Sequence, residues 1–410
     1  EDNFGRAVAV FGLLAAKFPQ EAKYSERQSW SLVSLGNATR AREDWKAAEK
    51  HYRAALVIQK KLAKENPQAA DYRDAQADSH WGLAFTLKRA GNRTESEVEY
   101  RQAVALKESL AAEFPVEATF RHQAANLRRE LGVFLYDGGQ DEAGARLFPK
   151  ALESLDQLAA EFPSMPIYQS DLARCRRDYG KVLGYLQKPV EAVEQFQQAV
   201  TLGEKLVREN PTVLPYKADL GLCYSYFADL LRDGDDPTQS LEWYDKAIST
   251  LAATYAQDRS AYLTKSALFK CHAGLAEAYG KLGKHAEAVQ EWDKAMEMGS
   301  ANPPPMYRGQ RAYARAKAGQ FPAAIAELAE LTKSDPQDPV HWYKLACVYS
   351  LASVADASKK EEYTMLALQQ LQGAVEAGYT NHVRMGTDKD LAPLHGREEF
   401  KKMIRGLESK

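Results

Sequence analysis

The cysteines and histidines are the residues of this chain with most scope for chemistry, since a thiolate is a nucleophile and both side chains can bind zinc. Cys175, Cys223 and Cys271 are spaced 48 residues apart without a CxxC pair, and the eight histidines lack metal-ligand spacing. The regular spacing instead predicts that a small buried side chain recurs at one position of three successive repeats. We therefore expect no metal, no cofactor and no disulfide, and a reducing, cytoplasmic setting.

Catalytic motifs are missing from the sequence. It has no GxxxxGK, no HExxH, no nucleophile elbow and no GxGxxG followed by a strand, so we expect no catalytic residues and no enzyme in this chain. Lysine and arginine number 54 against 56 acidic residues, and the net charge of −2 argues against a general nucleic-acid binder. The longest apolar run, 7–16, has ten residues and is too short to cross a membrane.

A period of 48 residues organises most of the chain, and a proline closes successive copies at Pro19, Pro67, Pro115, Pro163 and Pro211. Six copies share four restricted positions. The first holds small residues: Gly36, Ala84, Gly132, Gly180, Ala228 and Ala276. Twelve residues later come further small residues: Ala48, Ser96, Gly144, Ala192, Ser240 and Ala288. Four residues on stand aromatic ones: Tyr52, Tyr100, Phe148, Phe196, Tyr244 and Trp292. Three residues beyond is always alanine: Ala55, Ala103, Ala151, Ala199, Ala247 and Ala295.

These spacings predict a pair of antiparallel helices in each copy. Steps of three and four residues place the aromatic residue and the alanine on one helical face, and small residues let two helix axes approach closely. Glycines between the two positions mark the turn, and Pro189 and Pro237 mark the start of a second helix. Pro149 falls well inside a second helix, where we expect a bend.

The pattern of Leu-Gly, Ala, aromatic and Ala resembles the tetratricopeptide repeat (TPR) family, although these copies have 48 residues rather than 34 and His80 or Arg176 replaces the family's Trp. The resemblance implies an all-α, right-handed TPR-type α-solenoid of antiparallel helix pairs. We expect residues 1–302 to form the long copies, beginning in mid-repeat as in a fragment of a longer protein. Residues 303–410 would form two shorter units and a C-terminal capping helix.

The resemblance also implies a concave face lined by the first helix of each pair. Its outward positions form the predicted partner-binding set: Trp81, Phe85, Lys88, Asn126, Arg129, Tyr136, Arg174, Arg177 and Lys181. Guanidinium groups suit carboxylates, so the set favours an acidic peptide or a chain terminus. The alternative is a solvated face balanced by Glu130 and Asp178.

Three functions remain open from the sequence. The first is a protein-interaction scaffold that binds a protein or peptide. The second follows from the tail, where LACVYSLAS and DKDLAPLHGREEFKKMI resemble the TPR region behind planctomycete-type serine/threonine kinase domains. That resemblance implies a regulatory or substrate-recruiting arm, since the kinase motifs themselves are absent. An RNA-binding solenoid is the third, and the balanced charge and lack of a regular base-reading pair argue against it. The sequence leaves the oligomeric state open.

Overall fold

The computed structural model describes residues 2–299 and 303–408, and in these residues the chain forms twenty α-helices, two short 3₁₀ segments and no strand. The first ten helices are α1 (Asp2–Lys17), α2 (Ala22–Ala41), α3 (Trp45–Glu65), α4 (Ala70–Arg89), α5 (Arg93–Glu113), α6 (Ala118–Tyr136), α7 (Asp141–Ala145), α8 (Phe148–Glu161), α9 (Pro166–Tyr185) and α10 (Pro189–Glu209). The remaining ten are α11 (Leu214–Arg232), α12 (Gln239–Gln257), α13 (Tyr262–Lys281), α14 (His285–Met298), α15 (Pro305–Lys317), α16 (Phe321–Ser334), α17 (Pro339–Ala355), α18 (Lys360–Glu376), α19 (His382–Thr387) and α20 (Glu398–Glu408).

The chain divides into two compact units, Glu1–Thr212 and Val213–Lys410. In the first unit α1 packs against α2, and copies 1 to 4 are the pairs α2/α3, α4/α5, α6/α7–α8 and α9/α10. In the second unit copies 5 and 6 are α11/α12 and α13/α14, followed by the shorter pairs α15/α16 and α17/α18. The prediction of an all-α fold of TPR-type helix pairs is confirmed.

Close crossings between paired helices explain the small residues. A Cβ added to Gly144 would lie 2.6 Å from the backbone oxygen of Gly132, so these two helices touch through their backbones. Phe148 stacks on Tyr179 beside this crossing, with ring centroids 5.2 Å apart. The four restricted positions are buried in all six copies. The sequence therefore located the helix contacts correctly.

The predicted breaks in the helices are also present. The second helix of copy 3 is interrupted at Pro149, because α7 ends at Ala145 and α8 begins at Phe148. Pro189 starts α10, while Pro237 lies in the turn just before α12. In the turn between α6 and α7, Gly139 has a φ of +75°, a left-handed conformation that glycine adopts without strain.

The recurring cysteine position is a packing position, as predicted. Cys175, Cys223 and Cys271 are buried in α9, α11 and α13, and Cys347 is buried in α17. Burial raises the pKa of the Cys271 thiol to about 12. A protonated, enclosed thiol is a poor nucleophile and a poor metal ligand.

The end of the second unit is closed by a compact apolar cluster. Leu371 and Ala374 of α18 pack with Leu391 and Leu394 of the 3₁₀ segment Lys389–Leu394, and Phe400 of α20 completes the cluster. Asp390 ties this segment to α15 by accepting hydrogen bonds from Tyr313 and Lys317. These contacts cover the apolar face of the last helix pair.

Candidate interaction face

All nine predicted binding residues lie on three first helices of the N-terminal unit. Helix α4 carries Trp81, Phe85 and Lys88; α6 carries Asn126, Arg129 and Tyr136; and α9 carries Arg174, Arg177 and Lys181. Arg177 is buried and the other eight are partly buried. The structure therefore brings these residues to neighbouring helices but sets most of them among other side chains.

Side-chain bonds between residues 49 positions apart connect these helices. The Trp81 indole donates to Glu130 over 2.6 Å, and Arg129 Nη1 donates to Asp178 over 2.6 Å. Lys88 donates to Asp137 in the same way over 3.2 Å. We call these contacts the 49-residue bridges. Because each spans one period plus one residue, they join equivalent faces of successive first helices.

Asp178 lies at the centre of the predicted basic patch. Arg129 binds one of its carboxylate oxygens and Arg177 binds the other, with Nε and Nη2 at 3.1 and 3.0 Å. Burial raises the pKa of this carboxyl, but the guanidinium groups of Arg177 and Arg129 outweigh burial and hold the pKa below its usual value. Both predicted arginines thus already bind a carboxylate of their own chain.

Asp171 likewise binds two other predicted residues, Asn126 and Arg174. It accepts hydrogen bonds from Asn126 over 2.8 Å and from His122 over 2.6 Å, and it pairs with Arg174 at 3.0 Å. Burial acts to raise its pKa, yet these partners lower it overall. The face is therefore balanced in charge by Asp171, Asp178 and Glu130, of which the sequence analysis had named the last two as the alternative to a basic patch.

Aromatic rings and cations form the outer part of this face. The Arg40 guanidinium lies 5.1 Å from the Trp81 ring and 5.2 Å from the Phe85 ring. Further along, Tyr136 meets Tyr185 edge to face at 5.6 Å. We call Trp81, Phe85, Tyr136 and Tyr185 the aromatic stripe.

Two members of this arrangement were missed in the sequence. Tyr185 is 62% exposed, the most accessible ring of the stripe. Arg40 occupies in α2 the position that Lys88 holds in α4, so the 48-residue period could have indicated it. Tyr185 had no such signal, because the equivalent residues in the neighbouring copies are Asp137 and Asp233.

No metal site emerges in the part of the chain that the structure describes, where no three histidine, cysteine or acidic residues are grouped to hold an ion. Within the same residues, none of the helices combines the length and the apolarity that a membrane span requires.

Comparisons with known proteins agree with the two-helix copies. The tetratricopeptide repeat family matches residues 29–68, which cover most of copy 1. No curated protein matches the sequence. Among solved structures, the apo form of RapI shares the fold with a TM-score of 0.51 at 12% identity, over 91% of this chain and 97% of that one.

Two further solved structures have lower TM-scores than RapI. BtubC from P. vanneervenii has a TM-score of 0.47 at 17% identity, over 62% of this chain and 89% of that one. A tetratricopeptide repeat protein from Parabacteroides merdae has a TM-score of 0.40 at 14% identity, over 77% and 97%. The family match in copy 1 and the fold shared with RapI agree with the helix pairs of this chain.

Proposed function

We propose that this chain is a protein-interaction scaffold that binds a peptide or protein on the first helices α4, α6 and α9. The aromatic stripe carries the proposal. Aromatic side chains supply large contact areas at small entropic cost and dominate the energies of protein interfaces. Here Trp81 is held in place by its bridge to Glu130 and Tyr136 by its ring contact with Tyr185, so little ordering has to be gained on binding.

The charges of the face limit what the partner can be. An acidic partner that used Arg129 and Arg177 would have to compete with Asp178, which already binds both. We therefore propose that an apolar or aromatic group of the partner is the main anchor on the stripe. Acidic groups of the partner would add to binding where they reach the outer lysines, Lys88 and Lys181.

A regulatory or substrate-recruiting arm of a larger serine/threonine kinase is the second candidate. It rests on the resemblance of the tail sequence, and it differs from a free-standing scaffold only in what is joined to the chain. The complete coding sequence of the gene would decide between the two.

The exposed ring of Tyr185 offers the cleanest test. Affinity capture with the chain identifies binding partners, and isothermal titration calorimetry then compares the unchanged chain with Tyr185→Ala. We expect the variant to bind at least about tenfold more weakly, as for a central aromatic anchor. Val190→Ala on α10, where the side chain is 83% exposed, is the control. Equal affinity of both variants for every partner would remove the aromatic stripe from the proposal.

A further inference from the structure

Helix α14 of copy 6 is shorter than its counterparts. It has 14 residues and ends at Met298, whereas α3, α5 and α10 have 21 residues each. The two extra turns of those longer helices pack on the first helix of their own copy. Copy 6 therefore has a first helix, α13, whose N-terminal half lacks the covering turns.

One exchange of residue sizes compensates for part of the loss. In copy 5, Gly221 leaves room for Leu251, since a Cβ at Gly221 would lie 2.6 Å from Leu251 Cγ. The equivalent residues of copy 6 are Phe269 and Gly299, and a Cβ at Gly299 would lie 3.4 Å from the Phe269 ring. Phe269 thus fills space that the second helix fills elsewhere.

In copy 6 the position three residues further along is residue 302, which lies outside the residues that the structure describes. In copies 1 to 4 this position is a buried leucine: Leu62, Leu110, Leu158 and Leu206. Helix α14 ends before it reaches this position. A cavity of about 310 Å³ borders the end of α14 and is bounded by Tyr262, Lys265, Phe269, Met298 and Tyr307 among others. Tyr262 is 77% exposed at its rim.

The longer copies also show which charge is missing. In copy 2, Glu113 at the end of α5 binds Arg73 of α4 through two hydrogen bonds, at 2.6 and 3.0 Å. Glu161 binds Arg121 in the same two-pronged manner in copy 3. Lys265 holds this cationic position in copy 6, and it forms no salt bridge with any residue of 2–299 or 303–408. The carboxylate that copies 2 and 3 provide has no counterpart here.

We propose that this cavity on α13 binds a short acidic helix of a partner protein, with a leucine followed three residues later by a glutamate. This is the pattern of the covering turns in copies 1 to 4: Leu62 and Glu65, Leu110 and Glu113, Leu158 and Glu161, Leu206 and Glu209. The leucine enters the cavity and the glutamate pairs with Lys265. Lys270, on the same rim, favours further acidic residues. This surface lies in the C-terminal unit and is independent of the aromatic stripe.

A peptide copied from this chain provides the probe. Residues 151–163, ALESLDQLAAEFP, contain Leu158 and Glu161 together with two further acidic residues. A fluorescent, helix-constrained form of this peptide is titrated against the full chain and its anisotropy is measured. We expect saturable binding that Lys265→Glu weakens about tenfold. Lys217→Glu is the matched control, because Lys217 holds the equivalent position in copy 5, where α12 continues to Gln257.

Exchange of the two charges makes the test specific. A peptide with Glu161→Lys should bind the unchanged chain weakly and should regain affinity for the Lys265→Glu variant. A peptide with Leu158→Asp should fail to bind either one. Circular dichroism verifies that each protein variant remains helical. The proposal is overturned if the peptide fails to saturate the chain at about 1 mM, if Lys217→Glu weakens binding as much as Lys265→Glu, or if the charge exchange restores nothing.

Discussion

Asp178 should contribute far more to stability than its position on a predicted binding face suggests. Its carboxylate is 12% exposed and binds Arg129 and Arg177 at once. Asp178→Asn keeps the shape of the side chain but removes the charge. Breaking a buried ion pair costs roughly 3–5 kcal/mol. Because the asparagine oxygen still accepts one hydrogen bond, we expect a loss near the lower end, about 3 kcal/mol.

This loss should appear as a large shift in thermal unfolding. For a unit the size of Glu1–Thr212, a change of 1 kcal/mol shifts the midpoint by about 2–4 °C, so Asp178→Asn should lower it by roughly 6–12 °C at pH 7. Asp137→Asn is the control. Asp137 also belongs to the 49-residue bridges, but its side chain is 37% exposed and that of its partner Lys88 is 34% exposed. Exposed ion pairs contribute at most about 1 kcal/mol.

The same pair of variants should differ in their response to pH. Two guanidinium groups hold the pKa of Asp178 below its value in the unfolded chain. The stabilisation is therefore complete above the unfolded pKa of about 4 and is lost as the pH falls through the folded pKa. Circular dichroism at 222 nm should show the unchanged chain and Asp178→Asn converging in acid, as the Asp178 carboxyl becomes protonated in the folded chain. Equal midpoints for the two asparagine variants at pH 7, or a gap that does not depend on pH, would refute the reasoning.

Three further results follow from the packing. Gly144→Ala should destabilise the chain by about 1–3 kcal/mol in urea unfolding, since the new methyl group meets the backbone of Gly132, whereas Gly280→Ala, with open space around it, should be neutral or up to about 1 kcal/mol stabilising. Gln187→Gly should raise the free energy of unfolding by up to about 1 kcal/mol, because Gln187 has a φ of +57°; a decrease would contradict this. Iodoacetamide at pH 8 should leave all four buried cysteines unmodified in the folded chain and alkylate them in urea, as mass spectrometry would record; rapid labelling of the folded chain would contradict their burial.

The fold could be predicted from the sequence because the residue spacings that indicate it are local and repeated. Gly132, Gly144 and Phe148 mark one helix crossing, and five other copies repeat the same spacing, so chance is excluded. Pro149 likewise acts through its own ring and its missing N–H group, and its effect on the second helix was predictable from position alone.

The candidate interaction face was harder to predict from the sequence, because its contacts depend on the stagger between successive first helices. A period of 48 residues places Trp81, Arg129 and Arg177 at equivalent positions, so the sequence alone predicts that all three face outward from the first helices. In the structure Trp81 and Arg129 are each bonded to the residue one step beyond the period, Glu130 and Asp178 respectively. That single-residue offset is set by how neighbouring helices pack, and it turns an apparent basic patch into a neutral one.

The 49-residue bridges give the array a direction. Glu130 accepts from the helix before it, while the adjacent Arg129 donates to the helix after it, and Asp178 repeats the accepting role one copy later. Helix α6 thus accepts a hydrogen bond from the first helix before it and donates one to the first helix after it. Loss of copy 3 as a whole would set Trp81 opposite Asp178 and keep a donor facing an acceptor, whereas a single-residue insertion within a copy would separate the bonded pair at that point. The chain can in this way change its length by gene duplication while successive first helices keep the same packing.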